Sequence, residues 1–341
     1  MIKVLICGPF PSPAGGISIH ADRLNSLLLI NNTLTSKCDE SSQKKEHIFN
    51  IRSFNALKYL LLIKESDMVH VHSSVDLFRV IHVLCSLLLR KKLIITIHSW
   101  RKGPVASKIW SAILNNTCDK IVFVSQEIQK KFNTQKQKSF VFPAFIPPQA
   151  PPEIIPPNIL SFISKSRSIN KKILVSNAFR VVEHDGHDLY GFDLCIEAFS
   201  NAEIRKKTAL IYVISDPEIN KEKIKHYMDS ILKQKLSDSV FLHLGTIDFY
   251  SLVELADASI RATNTDGDAL SVRESIYLKV PCIASDCVIR PSEAIIFKSR
   301  SASSLAEKIL STLEQEQSPR NAIFDELHRI SDFYKELYQG I

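Results

Sequence analysis

No stretch of this chain is both long and apolar enough to span a bilayer, which takes roughly 18 consecutive apolar residues. The best candidate, Phe78 to Leu89, is shorter and carries Arg79 and His82. A secretory leader is not expected: Met-Ile-Lys-Val-Leu-Ile-Cys-Gly at the start reads as a first strand, since a leader's apolar region would be longer. The seven cysteines (7, 38, 85, 118, 195, 282 and 287) form no C-x-x-C pair. That excludes a zinc ribbon and points to reduced thiols in a cytoplasmic protein. No G-x-G-x-x-G occurs, and no acid is placed to hold an adenosine ribose, so a dinucleotide site is not expected. Stacking aromatics do not alternate with the basic clusters Arg90-Lys-Lys, Arg101-Lys, Lys130-Lys and Lys136/Lys138. With no nucleic-acid-binding motif either, nucleic acid is not an expected partner.

What is present is an α/β pattern. The 341 residues suffice for two domains, with 45% hydrophobic and 23% charged residues, as in ordinary globular proteins. Strand-like runs alternate with helical ones through both halves, which implies parallel sheets with helices on both faces. Residues 143–157 hold seven prolines in fifteen positions, an extended linker. The expected domains are therefore 1–150 and 151–320. A last helical segment, 321–341, is expected to pack back towards the first domain. Charge divides unevenly: residues 1–150 hold 20 Lys+Arg against 9 Asp+Glu, a net of +11, and residues 151–341 hold 23 against 27, a net of −4. A basic first half suits a phosphorylated acceptor or an anionic membrane surface as well as plain solvation.

The densest chemistry lies in Arg261 to Asp286, RATNTDGDALSVRESIYLKVPCIASD. Asp266 and Glu274 stand eight positions apart. Ser271 and Glu274 have capping-box spacing, which predicts a helix from Ser271. Val280 to Ser285 reads as a buried strand. A helix N-terminus attracts phosphate, and a carboxylate beside it suits sugar hydroxyls better than another anion. The plain alternative is a cap at Glu274 and a turn at Asp266. Other candidates are the loop Gly8 to Gly16, ending in Gly15-Gly16, whose backbone can approach phosphate; His98, at the end of strand 93–97; and Arg180, after strand 172–176, whose guanidinium can hold a diphosphate. Each also has an ordinary structural use. His70 and His72 share a strand face with no third metal ligand in the sequence, and 183–188 (EHDGHD) reads as a solvated loop, so no metal is assigned.

In this order the pieces resemble the retaining glycosyltransferases of family 4, whose two-domain GT-B fold has two Rossmann-like, doubly wound domains facing a central cleft. Among relatives the chain is most similar to enzymes building bacterial O-antigen or capsule. DLCIEAFSNA at 193–202 and LADAS at 255–259 add to the likeness. The resemblance implies sugar transfer from a nucleotide sugar to a saccharide acceptor, undecaprenyl-diphosphate-linked, at the inner face of the membrane. It implies no cofactor and no required metal. Gly15 and Gly16 would approach donor diphosphate and acceptor. His98 would contact the transferred sugar, and Arg180 would neutralise the diphosphate. The backbone of Gly267, Asp268, Ala269, Leu270 and Ser271 would hold sugar and phosphates, Glu274 the ribose diol, and Asp266 the sugar hydroxyls. The sequence departs from the family at three places: Asp266 stands for the usual glutamate, Asp268-Ala269 for Phe-Gly, and Tyr190 for the lysine before Gly191. A nucleotide-sugar epimerase of the same fold, or a non-catalytic nucleotide-sugar-binding scaffold, are the competing readings.

Overall fold

In the computed structural model the strands of the sequence pattern assemble into two parallel sheets. The structure describes residues 2–12, 14–100, 102–149, 154–314 and 324–339. The chain divides into two compact units, Met1–Gln149 with Phe324–Ile341, and Ala150–Ile323.

The first unit runs β1 (Lys3–Gly8), α1 (Gly16–Ile30), β2 (Leu34–Asp39), β3 (Phe49–Asn50), α2 (Ala56–Lys64), β4 (Met68–Val71), α3 (Asp76–Leu88), β5 (Lys92–Ile97), α4 (Pro104–Thr117), β6 (Lys120–Phe123), α5 (Gln126–Gln129) and β7 (Ser139–Val141). Its strand order is β3-β2-β1-β4-β5-β6-β7, all parallel. Alternate residues of each strand serve opposite faces. Leu5, Val69, Leu93, Ile95 and Ile121 pack under α2, α3 and α4, through Ile63, Val83 and Trp110. His70 and Thr96 face the other way.

The second unit runs α6 (Pro157–Ser168), β8 (Lys172–Ala178), the hairpin β9 (Glu183–His184) and β10 (His187–Asp188), α7 (Phe192–Phe199), α8 (Ala202–Lys207), β11 (Thr208–Ile214), α9 (Lys221–Lys233), β12 (Val240–Leu244), α10 (Phe249–Glu254), β13 (Ala258–Arg261), α11 (Leu270–Tyr277), β14 (Cys282–Ser285), β15 (Ile295–Phe297) and α12 (Ala302–Leu313). The sheet order is β12-β11-β8-β13-β14-β15. Leu174, Leu210 and Ile260 pack on one side with α7, α9 and α12. Ile173, Val175 and Ile211 pack on the other with α6 and α10. These near-continuous apolar strands are what a sheet covered on both faces requires. The last helix, α13 (Phe324–Gln339), belongs to the first unit.

Local signals account for several helix starts. Asn55, Asp248 and Ser301 each accept a backbone N–H two or three residues into the next helix, and α4 and α6 begin on proline. Helix α6 follows directly on the proline-rich segment, of which residues 150–153 lie outside the described ones. Strand β2 is polar in sequence (LTSKCD) and has no place in the sequence pattern, yet it pairs with β1 over six positions.

Strand order reverses at β1/β4 in the first unit and at β8/β13 in the second. In open α/β sheets such points, outside the carboxyl ends of the strands, are where ligands bind.

Candidate functional site

At the β1/β4 point the chain gathers histidines. Gly8 ends β1, and a Cβ there would lie 3.1 Å from the Cβ of His72, so only glycine fits without displacement. Gly15 caps α1, its N–H donating to Ser18 Oγ at 2.8 Å. A Cβ at Gly16 would meet nothing within 4 Å beyond its own helix. One turn later His20 is buried, with Tyr334 of α13 at 3.4 Å from Nε2. His72 directly follows β4, and His98 directly follows β5 at 3.1 Å from it (His72 Nδ1 to His98 Nε2). One ligand nitrogen from each of His20, His72 and His98 lies within 4.8 Å of the others, a grouping compatible with a metal ion. The third ligand beside His72 and His98 is thus His20 on α1, and no strand spacing signals it. His70, its strand neighbour, is held by Tyr338 and Thr96 at 2.6 and 2.8 Å, a packing role. Burial drives the pKa of His20 down to about 4 and those of His70, His72 and His98 well below the ordinary value. All four are neutral at pH 7.

Beside them, Asp39 ends β2 and Glu40 follows it. Asp39 accepts from Phe10 N–H at 3.1 Å and from Lys45 at 2.8 Å, fixing the first loop. Glu40 accepts from Ser73 at 2.6 Å and pairs with His82 at 2.9 Å. Neither acid stands out in the sequence, because each sits in a polar run.

The β8/β13 point is charged instead. Asp266 lies in the turn between β13 and α11. Its Oδ2 accepts from Arg261 Nε (2.9 Å), Arg290 Nη1 (3.0 Å) and Thr263 Oγ1 (3.1 Å). Its Oδ1 accepts from Arg261 Nη2 and Gly267 N–H, each at 3.1 Å. Burial pushes this carboxyl up, but the two guanidiniums, Arg261 foremost, outweigh that and hold it at about 2. The sequence expectation that Asp266 takes sugar hydroxyls meets a geometric correction: a carboxylate offers about four lone-pair sites, and five donors already occupy it. Two guanidiniums against one carboxylate leave the cluster a net charge of +1. Arg261 also lies over the ring of Tyr190, 5.2 Å to its centre, at the position where the family pattern has lysine.

Helix α11 begins at Leu270 with Ala269 as its cap and no side-chain capping bond. The expected capping box is therefore not formed. Ser271 falls inside the first turn, its buried hydroxyl lacking a hydrogen-bond partner. Its carbonyl accepts from Ser275 at 2.8 Å. Glu274 is 2% exposed on this helix. Asp268 is held by Arg273 at 2.6 Å. Arg180, two residues past β8, pairs with Asp216 at 3.0 Å and lies 4.4 Å from the ring centre of Phe179. Its buried Nε has no partner. Gly191 has φ of +74°, and a Cβ there would stand 2.2 Å from Ala262 O, so the loop before α7 seats on the end of β13 only as glycine. The 183–188 loop is the β9–β10 hairpin, tied down by Asn264 Nδ2 donating to His184 O at 2.8 Å.

Sequence comparison assigns these two units. Residues 40–149 match the family described as Glycosyltransferase Family 4, and residues 167–325 match Glycosyl transferases group 1. The chain is a glycosyltransferase family 4-like protein. No curated protein matches its sequence. Among solved structures, this glycosyltransferase-like chain is similar in fold to Anabaena HepE in complex with UDP and glucose (TM-score 0.72, 13% identity, 98% of this chain and 100% of that one). It is similar as well to a glycosyltransferase from Rickettsia africae (0.71, 17%, 100% and 99%). A third is WaaG, a glycosyltransferase involved in lipopolysaccharide biosynthesis (0.65, 15%, 99% and 100%). These likenesses establish the GT-B fold: two Rossmann-like α/β domains. Among the described residues no helix is long and apolar enough to cross a membrane.

Proposed function

We propose that this protein transfers a sugar from a nucleotide-sugar donor to a saccharide acceptor with retention of anomeric configuration. The observation that carries the reading is the net-positive Asp266–Arg261–Arg290 cluster beside the N-terminus of α11, with Glu274 one turn on. A breaking glycosidic bond puts negative charge on a nucleoside diphosphate. Guanidiniums and first-turn N–H groups are preorganised to stabilise it. Arg180 adds a guanidinium whose Nε is still unpaired. Glu274, buried on α11, is the carboxylate that meets the ribose diol. Asp266 works one step back, holding the Gly267–Ser271 backbone in place rather than gripping the sugar.

On the first unit, Gly15 and Gly16 present bare backbone, and His98 presents a neutral imidazole, a hydrogen-bonding group that adds no charge beside an oxocarbenium-like centre. The leaving diphosphate takes the acceptor proton, so no protein nucleophile is required. The likeness to HepE, which is complexed with UDP and glucose, and to WaaG, which is involved in lipopolysaccharide biosynthesis, supports a nucleotide-sugar donor and a bacterial surface polysaccharide. The acceptor is then a lipid-linked saccharide, undecaprenyl-diphosphate-linked, met by a cytoplasmic protein peripheral to the membrane. No cofactor is called for.

The test is a screen of nucleotide sugars by thermal shift, then transfer to lipid-diphosphate saccharides, with anomeric configuration read by NMR. Product with the donor's anomeric configuration is expected. An inverted product would overturn retention. Donor conversion to a new nucleotide sugar without acceptor would replace transfer by epimerisation.

A further inference from the structure

Three imidazoles converge at the β1/β4 point from three separate elements. His20 comes from early in α1, His72 from the residue after β4 and His98 from the residue after β5. Their ring centres stand 5.0 Å (His20–His72), 4.9 Å (His20–His98) and 5.3 Å (His72–His98) apart. Zinc holds an imidazole nitrogen at roughly 2.0–2.1 Å. Three rings on one tetrahedral ion therefore have centres about 5 Å apart and ligating nitrogens about 3.3 Å apart. His72 Nδ1 and His98 Nε2 are 3.1 Å apart, and one nitrogen of each ring lies within 4.8 Å of the others. The trio has the dimensions of a three-histidine metal site.

The surroundings fit ligation. His20 Nδ1 donates to Ala144 O at 2.5 Å, which fixes the ring and leaves the lone pair on Nε2. A backbone carbonyl behind the ring is the usual support of a metal-bound histidine. Tyr334 Oη stands 3.4 Å from that Nε2, at the limit of a hydrogen bond. His72 is fully buried, and its Nε2 has no hydrogen-bond partner. Native structures carry few such orphaned polar atoms. All three rings are neutral at pH 7, the form that ligates. Among the described residues the grouping holds no carboxylate. Imidazoles alone pass over magnesium and calcium, which take oxygen ligands, and suit zinc and its transition-metal neighbours. Arg23 bears on His20 and Arg79 on His98. Both oppose a dication, which holds its dissociation constant near about 1 μM, weaker than structural zinc.

We propose that His20, His72 and His98 bind zinc, and that the bound ion inhibits sugar transfer by taking the His98 nitrogen from the transferred sugar. Binding forms three N–Zn bonds and breaks the hydrogen bond between His72 and His98. The proton of that bond moves to the other nitrogen of the ring that carries it, so the rings stay neutral and nothing is oxidised or reduced. A tetrahedral ion keeps its fourth position for water. The ion is an inhibitor and no part of the reaction. Inhibition rests on the sugar contact of His98 proposed above; the metal site does not.

Calorimetric titration of the full chain with zinc, without donor, tests the site. One equivalent is expected to bind. His20→Gln and His72→Gln should each weaken binding by at least about tenfold. His184→Gln with His187→Gln, on the β9–β10 hairpin, should leave it unchanged. Unaltered thermal unfolding without metal would show that the variants fold. Cobalt bound to wild type should give the intense visible absorption of a four-coordinate ion, a reading that needs no variant. No binding by wild type, equal affinity in the folded His20 and His72 variants, or loss only in the hairpin variant would overturn the site. In transfer assays zinc should inhibit with half-effect near its dissociation constant, EDTA should restore the rate, and equal magnesium should do nothing. Equal inhibition by magnesium would overturn the inhibition by assigning it to the donor diphosphate. Zinc bound through the three histidines without inhibition would keep the metal site and take His98 off the sugar. A chain with no transfer activity would still answer by calorimetry, so failure of the site and failure of the proposed reaction are told apart.

Discussion

The two switch points solve the same problem with opposite materials. In the first unit, polar groups are buried by giving up charge: His20, His70, His72 and His98 are neutral because burial penalises their protonation. In the second, charge is kept and balanced: Asp266 stays ionised between Arg261 and Arg290. The difference teaches that the neutral side suits sugar hydroxyls and an electron-poor anomeric carbon, whereas the charged side suits a diphosphate.

Acid should break the comparison most forcefully. Below pH 6.5 the unfolded chain protonates each of the four histidines while the fold resists, so stability falls with falling pH. The window runs from 6.5 down to about 4 for His20 and further for the others. Each histidine contributes roughly 1.4 kcal/mol per pH unit. Asp266 acts in the same direction but in a lower window: its contribution is present above the ordinary carboxylate range and is lost as pH falls through that range towards about 2. Both tryptophans, Trp100 and Trp110, lie in the first unit, so fluorescence should report its early acid unfolding. A flat fluorescence signal from pH 7 to 4.5 would contradict this.

Next in size, Asp266→Ala leaves two guanidiniums buried against each other and should cost the second unit about 3–5 kcal/mol in urea unfolding followed by circular dichroism. Wild-type stability would show that the cluster is not what holds the β13–α11 turn. Arg180→Ala should lower kcat by about a hundredfold without shifting the melting temperature; an unchanged kcat would remove it from the site. Glu274→Gln should weaken donor binding about tenfold by calorimetry, and equal affinity would leave the ribose without its acceptor. Excess EDTA should change least, leaving activity intact because guanidiniums meet the phosphate charge. Complete loss would make a metal at His20, His72 and His98 a requirement of transfer, not an inhibitor of it.

Much of this architecture is legible in the sequence, because strand–helix alternation is a local signal repeated many times. Asp266, the glycine loop and His98 all follow the carboxyl ends of strands, and Glu274 sits in the helix after one. What the sequence hides is pairing at a distance. Arg290 follows Asp266 by 24 positions and reaches it only because β14 lies beside β13. His20 meets His72 through the return of α1 over β1. The Ser271 box misleads because its spacing is right but the helix begins one residue earlier. Periodicity in Phe78–Leu89 reveals two faces of a helix, but not that His82 on the buried one pairs with Glu40, far away in sequence.

Helix α13 has a consequence for cutting the gene. Because Phe324–Ile341 belongs with Met1–Gln149, the second unit is an insertion within the first. A stop codon after residue 314 would keep the second sheet whole yet strip His20 and His70 of Tyr334 and Tyr338, injuring the half of the protein farthest away in reading order. A separable first unit therefore has to be made by splicing 1–149 to 324–341, not by truncation.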